Sequence, residues 1–277
     1  MLNRRTFHIQ DRYATFDMNK NLLIILGLFF SSITFSQDKE TELYFSADAN
    51  FSNGNYKEAI ANYTELLKIA DKNRKTLIKR CYYMRGFSWD RIQEYDNAIS
   101  DFTNAIRIDN TDMASFIDRG MSNYNAGYFK EAKADFHHVI SDKTNTRMTN
   151  NAYYWLAKIF FSEGNFSTSK TYLNFFIKGN SNNTEVYFLR GVVNDRLMNF
   201  KASIKDYTKT IELSPKNYQA FANRGTAKIN LLTGSGNLQP TKRETKSACK
   251  DLKKARKLGD NTVGDLIYVY CDKKINN

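Results

Sequence analysis

Small and apolar positions recur along this chain in a fixed order. A Gly or Ala stands at Ala47, Gly86, Gly120, Ala157, Gly191 and Gly225, at spacings of 39, 34, 37, 34 and 34 residues. Twelve residues after each of the first five comes a second small residue: Ala59, Ala98, Ala132, Ser169 and Ser203. Four further on stands a ring or a leucine: Tyr63, Phe102, Phe136, Leu173 and Tyr207. Small residues that face one another let two helices approach closely, and the bulky residue fills the groove beside them. The pattern therefore predicts six copies of one helical hairpin. A large side chain at Gly120 or Gly191 should cost ~1–3 kcal/mol by overpacking.

The segments GNYKEAIANYTELL, QEYDNAISDFTNAI, GYFKEAKADFHHVI, GNFSTSKTYLNFFI and MNFKASIKDYTKTI resemble the turn and second helix of the tetratricopeptide repeat, whose period is about 34 residues. The resemblance covers nearly all of residues 40–260 and implies an all-α, right-handed superhelical solenoid. Repeats are expected near 40–73, 79–112, 113–146, 150–183, 184–217 and 218–260. The sixth begins with FANRGTAKI, but its second helix resumes only at SACKDLKKARKLG, eleven residues late. Residues 233–246 are expected to be an inserted loop. Its glycines lack a following Gly-Lys-Ser/Thr and a preceding strand, so they do not read as a phosphate cradle. Residues 261–273 are expected to form a single helix capping the apolar face of the last repeat. The closing segment also resembles that of exported repeat proteins from Bacteroidetes-type bacteria.

The first 36 residues read as a leader. Asn19 and Lys20 precede an apolar stretch from Leu22 to Phe35, and Thr34 and Ser36 lie just before Gln37, as in a secretory signal peptide. Fourteen residues diluted by Ser31, Ser32 and Thr34 fall short of the roughly 20 a membrane span needs, so no permanent anchor is expected. The length of chain before Met18 suggests Met18 as the true start. The protein is expected to be exported, to the periplasm or beyond.

With 42% hydrophobic and 14% aromatic residues the chain has ample material for a core, and two prolines favour helices over many tight turns. Its formal charge is +12; the leader takes away four basic and two acidic residues, leaving +10. Basic residues are spread along the chain, with dense runs only at Lys72–Lys75 and Lys250–Lys257, so charge alone reads as a solvated face.

Arg85, Arg119, Arg190 and Arg224 stand immediately before the small residue of repeats two, three, five and six. Sixteen residues after the first three lie Asp101, Asp135 and Asp206, and Asp251 takes the same place once the insertion is discounted. Repeats one and four have Ser46 with Asn62 and Leu156 with Tyr172. Arg and Asp thus come and go together within a repeat, which reads as an ion pair between the helices of a hairpin rather than a ligand ladder. Removing one partner should cost ~3–5 kcal/mol if the pair is buried and at most about 1 if it is exposed.

No catalytic constellation is visible. His8 lies in the leader, His137 and His138 point about 100° apart on a helix, and no metal-ligand spacing or nucleophile elbow occurs, so neither metal, cofactor nor enzyme activity is expected. Cys249 and Cys271 are symmetric about Asp260 and should face each other, as a disulfide worth roughly 3 kcal/mol or as two buried thiols. Cys81 is expected on a helix face. Nucleic acid is not an expected partner, since nothing cradles phosphate.

The family register implies a concave groove of first-helix residues: Tyr44, Asp48 and Phe51; Tyr83, Phe87 and Asp90; Ile117, Met121 and Tyr124; Tyr154, Lys158 and Phe161; Phe188, Val192 and Asp195. Some of these are expected to serve as core. The Lys and Asn pattern that grips a peptide carboxylate in chaperone-binding members is absent. The resulting expectation is a protein-binding scaffold of the cell envelope; the alternative is an accessory subunit docking through its outer face.

Overall fold

The structure, a computed structural model, describes residues 39–142 and 146–272. The leader lies outside the described residues, and among those described no helix is long and apolar enough to cross a membrane. The fold is all-α, with no strand among the described residues. The chain divides into two compact units, Met1–Cys81 and Tyr82–Asn277.

The first unit holds α1 (residues 39–52), α2 (Tyr56–Ile69) and the start of α3 (Lys75–Arg91). The second continues α3 and adds α4 (Tyr95–Ile108), α5 (Met113–Asn125), α6 (Phe129–Ser141), α7 (Thr146–Ser162), α8 (Phe166–Gly179), α9 (Thr184–Arg196), α10 (Phe200–Leu213), α11 (Tyr218–Thr233) and α12 (Lys242–Lys257). It ends in α13 (Gly264–Ile267), which runs on as a π-helical turn, Tyr268–Asp272. From α5 onward each second helix packs on its own first helix, and α4, α6, α8 and α10 also pack on the first helix that follows. Odd-numbered helices are thus the first of each hairpin and even-numbered ones the second.

The small-residue seam closes each hairpin. A Cβ added at Gly120 would stand 2.8 Å from the Phe136 ring, at Gly191 2.6 Å from Tyr207 and at Gly225 2.8 Å from Leu252. Tyr63, Phe102, Phe136, Leu173, Tyr207 and Leu252 are all at most 1% exposed. Burying each such side chain contributes about 1.5–3 kcal/mol.

The two irregular spacings have a simple outlet. The five extra residues ahead of Gly86 and the three ahead of Ala157 lengthen α3 and α7 to 17 residues, against 13 for α5 and α9. These helices start at Lys75 and Thr146, four residues before the expected repeat starts. The inserted loop is likewise shorter than expected, 234–241 rather than 233–246, because both flanking helices take residues from it. α11 runs to Thr233, and α12 starts at Lys242 because Thr241 and Glu244 form a reciprocal capping box, with Glu244 accepting from the Thr241 backbone at 2.7 Å. The cap also differs from one regular helix over 261–273. Its helix begins at Gly264, and the Thr245 hydroxyl of α12 donates to the Tyr270 carbonyl at 3.1 Å, beside the π-helical turn.

Candidate partner-binding groove

Four hairpins carry the same ionic lock. Arg119 Nη2 and Nε reach the two carboxylate oxygens of Asp135 at 2.6 and 3.0 Å, and Asn123 adds a third donor at 3.2 Å. Arg190 and Asn194 hold Asp206 in the same way, and Arg224 and Lys228 hold Asp251. Arg85 grips Asp101 at 2.7 Å through both nitrogens. The aspartates are 3–4% exposed and the arginine side chains 16–21%, so the carboxylate end of each lock is buried while the guanidinium end keeps some solvent. Repeat one substitutes a neutral bond, Asn62 to Ser46 at 2.8 Å, and repeat four an apolar contact, with Leu156 fully buried and Tyr172 stacked 5.6 Å from Phe160.

Sequence spacing did not reveal that the guanidinium also reaches back. Arg119 Nη1 donates to Thr103, Arg190 Nη1 to Asn174 and Arg224 Nη1 to Thr208, each sixteen residues earlier on the preceding second helix. The arginine therefore serves architecture at both ends, and the first-helix face is left to other side chains.

On that face, in the first unit, Asp48 accepts from the Tyr63 hydroxyl and from Arg80 Nη2 at 2.8 Å, while Arg80 also lies over Tyr44. Phe51 packs edge-on against Tyr56. In the second unit Tyr83, Phe87 and Phe102 form a cluster of rings 5.4–5.9 Å apart. Ile117 is 5% exposed and belongs to the core, with Met121 and Tyr124 packed against the same cluster. Asp90 accepts from Ser122 at 2.8 Å, Asp195 accepts from Tyr207 at 2.6 Å, Phe188 leans on the Tyr207 ring, and Val192 is half-buried.

Two adjoining cavities sort these residues. The larger, about 790 Å³, opens between α5, α7, α8 and α9 and is lined by Ile117, Asp118, Arg147, Asn150, Tyr154, Asn180 and Glu185 among others. The smaller, about 270 Å³, is lined by Tyr124, Tyr154, Lys158, Phe161, Glu185 and Phe188. Tyr154 and Glu185 belong to both. The structure thus brings together Ile117, Tyr124, Tyr154, Lys158, Phe161 and Phe188 of the expected groove, while Tyr44, Asp48 and Phe51 lie in the other unit.

The charged lining is arranged unequally. Tyr83 donates to Asp118 at 2.6 Å, and Tyr154 donates to Glu185; neither carboxylate has an ion-pair partner among the described residues. Burial pushes the Asp118 carboxyl up to about 6, against the help of the Tyr83 bond and with further push from Asp90 and Asp112. The Tyr83 and Tyr154 hydroxyls are raised in turn, first by burial and then by these acids. Lys158 instead has its ammonium 4.4 Å from the Trp155 ring centre and 5.3 Å from that of Tyr124. Its charge is satisfied by ring faces rather than by a carboxylate. Asp118 and Glu185 stood outside the sequence-derived groove, since they lie one residue after Ile117 and three before Phe188, off the register that the family pattern implies. Among the described residues no group of three or more His, Cys, Asp or Glu could hold a metal ion.

Hairpins repeated in one register, each sealed by a small residue against a ring or a leucine, define a helical-repeat solenoid. Residues 43–73 match the family model described as Tetratricopeptide repeat. Over 95 residues the chain is 36% identical to human DnaJ homolog subfamily C member 7, and equally to the Mus musculus protein. That segment is 34% of this chain and 19% of the relative's length. The fold matches the C-terminal part of a TPR repeat-containing protein from Cytophaga hutchinsonii, with TM-score 0.63 and 20% identity over 76% of this chain and 77% of that one. It also matches a tetratricopeptide repeat protein from Parabacteroides merdae, with TM-score 0.61 and 13% identity over 84% and 99%. A third match is YrrB, described as a TPR protein with an unusual peptide-binding site, with TM-score 0.53 and 17% identity over 66% and 87%. At these identities the structural likeness establishes the fold. The chain folds as a tetratricopeptide-repeat solenoid, and this fold supports protein–protein interaction.

Proposed function

We propose that the protein is a non-catalytic adaptor of the cell envelope that holds a segment of a partner protein against the first helices of its central repeats. The observation that carries this reading is the paired cavity over α5, α7 and α9, where ring faces adjoin two carboxylates that no cation of the described residues neutralises. Ring faces supply anchoring area at low entropic cost, and unpaired carboxylates favour a segment that presents a lysine, an arginine or an amino terminus. The peptide-binding description of YrrB supports the same use of the fold, and the apolar stretch Leu22–Phe35 supports export.

The test is site-specific photocrosslinking in the native envelope. A crosslinker at Asn151, an exposed residue lining the larger cavity, should capture a stoichiometric protein partner, and Glu185→Lys should abolish that capture. A crosslinker at Lys205, exposed on the second helix α10, should not. Capture from Lys205 alone would overturn the groove reading in favour of an accessory subunit docked through its outer face.

A further inference from the structure

The last repeat helix carries a charge distribution that hairpin packing does not require. α12 holds eight basic residues, Lys242, Arg243, Lys246, Lys250, Lys253, Lys254, Arg256 and Lys257, and all eight are exposed. At about 100° per residue they fall within a single arc of roughly 160°. Thr245, Ala248, Asp251, Leu252 and Ala255 are buried on the opposite side. The two acids of the helix lie outside the arc: Asp251 is buried in the lock with Arg224, and Glu244 caps the N-terminus. Only Lys253 of the eight has an ion-pair partner among the described residues, Asp272 at 2.8 Å.

The helix dipole accounts for part of this. Cations in the last turn are favoured, which suits Lys254, Arg256 and Lys257, but cations in the first turn are disfavoured, and Lys242 and Arg243 stand there. Their presence points outward rather than to the helix itself. Large apolar side chains are exposed in the loop that precedes α12 and in the turn bonded to it. Leu238, in the loop before α12, is 80% exposed, and Tyr268 and Val269 are 65% and 50% exposed. The disulfide Cys249–Cys271 and the Lys253–Asp272 pair hold the Tyr268–Asp272 turn against the edge of the cationic face.

We infer that the α12 face docks on an anionic lipid surface, its lysines and arginines against the headgroups and Tyr268, Val269 and Leu238 at the boundary with the acyl chains. A basic helix beside exposed apolar residues has the chemistry of interfacial binding. A nucleic acid would use the same cations but gives no role to exposed Val269 and Leu238.

The experiment is cosedimentation of the full chain with phosphatidylcholine vesicles, with and without about 30% phosphatidylglycerol. The leader, with its basic residues and the apolar stretch Leu22–Phe35, is the same in parent and variants, so the difference between them on anionic vesicles is the readout. Binding should favour the anionic vesicles and fall away at about 0.5 M salt, where screening is strong. Replacing Lys250, Lys254 and Lys257 by Gln removes three charges; at about 1 kcal/mol per cation near the surface, partitioning should fall on the order of a hundredfold. A control with Lys57→Gln, Lys72→Gln and Lys75→Gln loses the same charge from exposed sites of the first unit and should bind as the parent does. Equal loss in the control would reduce the effect to net charge and overturn the assignment. So would indifference to phosphatidylglycerol, or retention of a duplex DNA probe without retention of vesicles.

Discussion

Asp118 should make the protein less stable at neutral pH than it would be without that charge. Its carboxyl is buried beside Tyr83, faces the fields of Asp90 and Asp112, and is pushed up to about 6 from an ordinary 3.8. The unfolded chain releases this proton near pH 4, whereas the folded chain keeps it until about pH 6. Through that window the folded state binds more protons, so stability falls as pH rises and the loss is complete above about pH 7. A displacement of this size sets a ceiling of about 3 kcal/mol. Asp118→Asn keeps an oxygen for the Tyr83 hydroxyl and cannot ionise, so it should match the parent at pH 4 and exceed it by about 1–2 kcal/mol at pH 7. Urea denaturation at half-unit steps from pH 4 to pH 8 measures the difference directly. A gap that does not widen with pH, or a variant less stable than the parent at pH 7, would refute the reasoning. The same variant should bind the groove partner less well, the usual exchange of stability for a charged site.

Three further outcomes follow from the packing. Asp206→Ala strands Arg190 and Asn194 at a 3% exposed site and should cost ~3–5 kcal/mol in urea unfolding, whereas Arg190→Leu with Asp206→Tyr, the pairing of repeat four, should recover most of it. Met198 closes the fifth hairpin at φ 57°, where Gly54, Gly127 and Gly164 serve in others, so Met198→Gly should raise stability by about 1 kcal/mol, seen as a higher Tm. Cys249→Ser with Cys271→Ser opens a link across 22 residues and should cost about 3 kcal/mol; a loss no greater than that of Cys249→Ser in reduced protein would show the bond contributes nothing.

Hairpin count, order and the arginine–aspartate pairing could be read in the sequence because each leaves a mark at fixed spacing: Gly191 with Tyr207, Arg190 with Asp206. What escaped was set by three-dimensional context. Extra residues before Gly86 and Ala157 became helix because nothing in them breaks one, and the end of the insertion became helix because Thr241 and Glu244 cap it. That box was visible as Thr-x-x-Glu. Asp118 carried no such mark, since an acid without a cation looks like any surface aspartate until burial is known. Ile117, one residue earlier, was placed in the groove and serves the core as well as the cavity wall.

The ionic locks close within a hairpin, and Arg119, Arg190 and Arg224 reach the preceding hairpin through a neutral oxygen on Thr103, Asn174 or Thr208. Each lock is therefore electrically self-contained, even though other pairs such as Lys133–Glu163 cross from one hairpin to the next. Gene duplication or loss of one hairpin breaks, at the lock, a neutral hydrogen bond that water can replace, and it leaves the buried aspartate of each lock paired. Lineages of such chains are free to lengthen or shorten one unit at a time, and Thr in one place and Asn in another show how loosely the joint between units is specified.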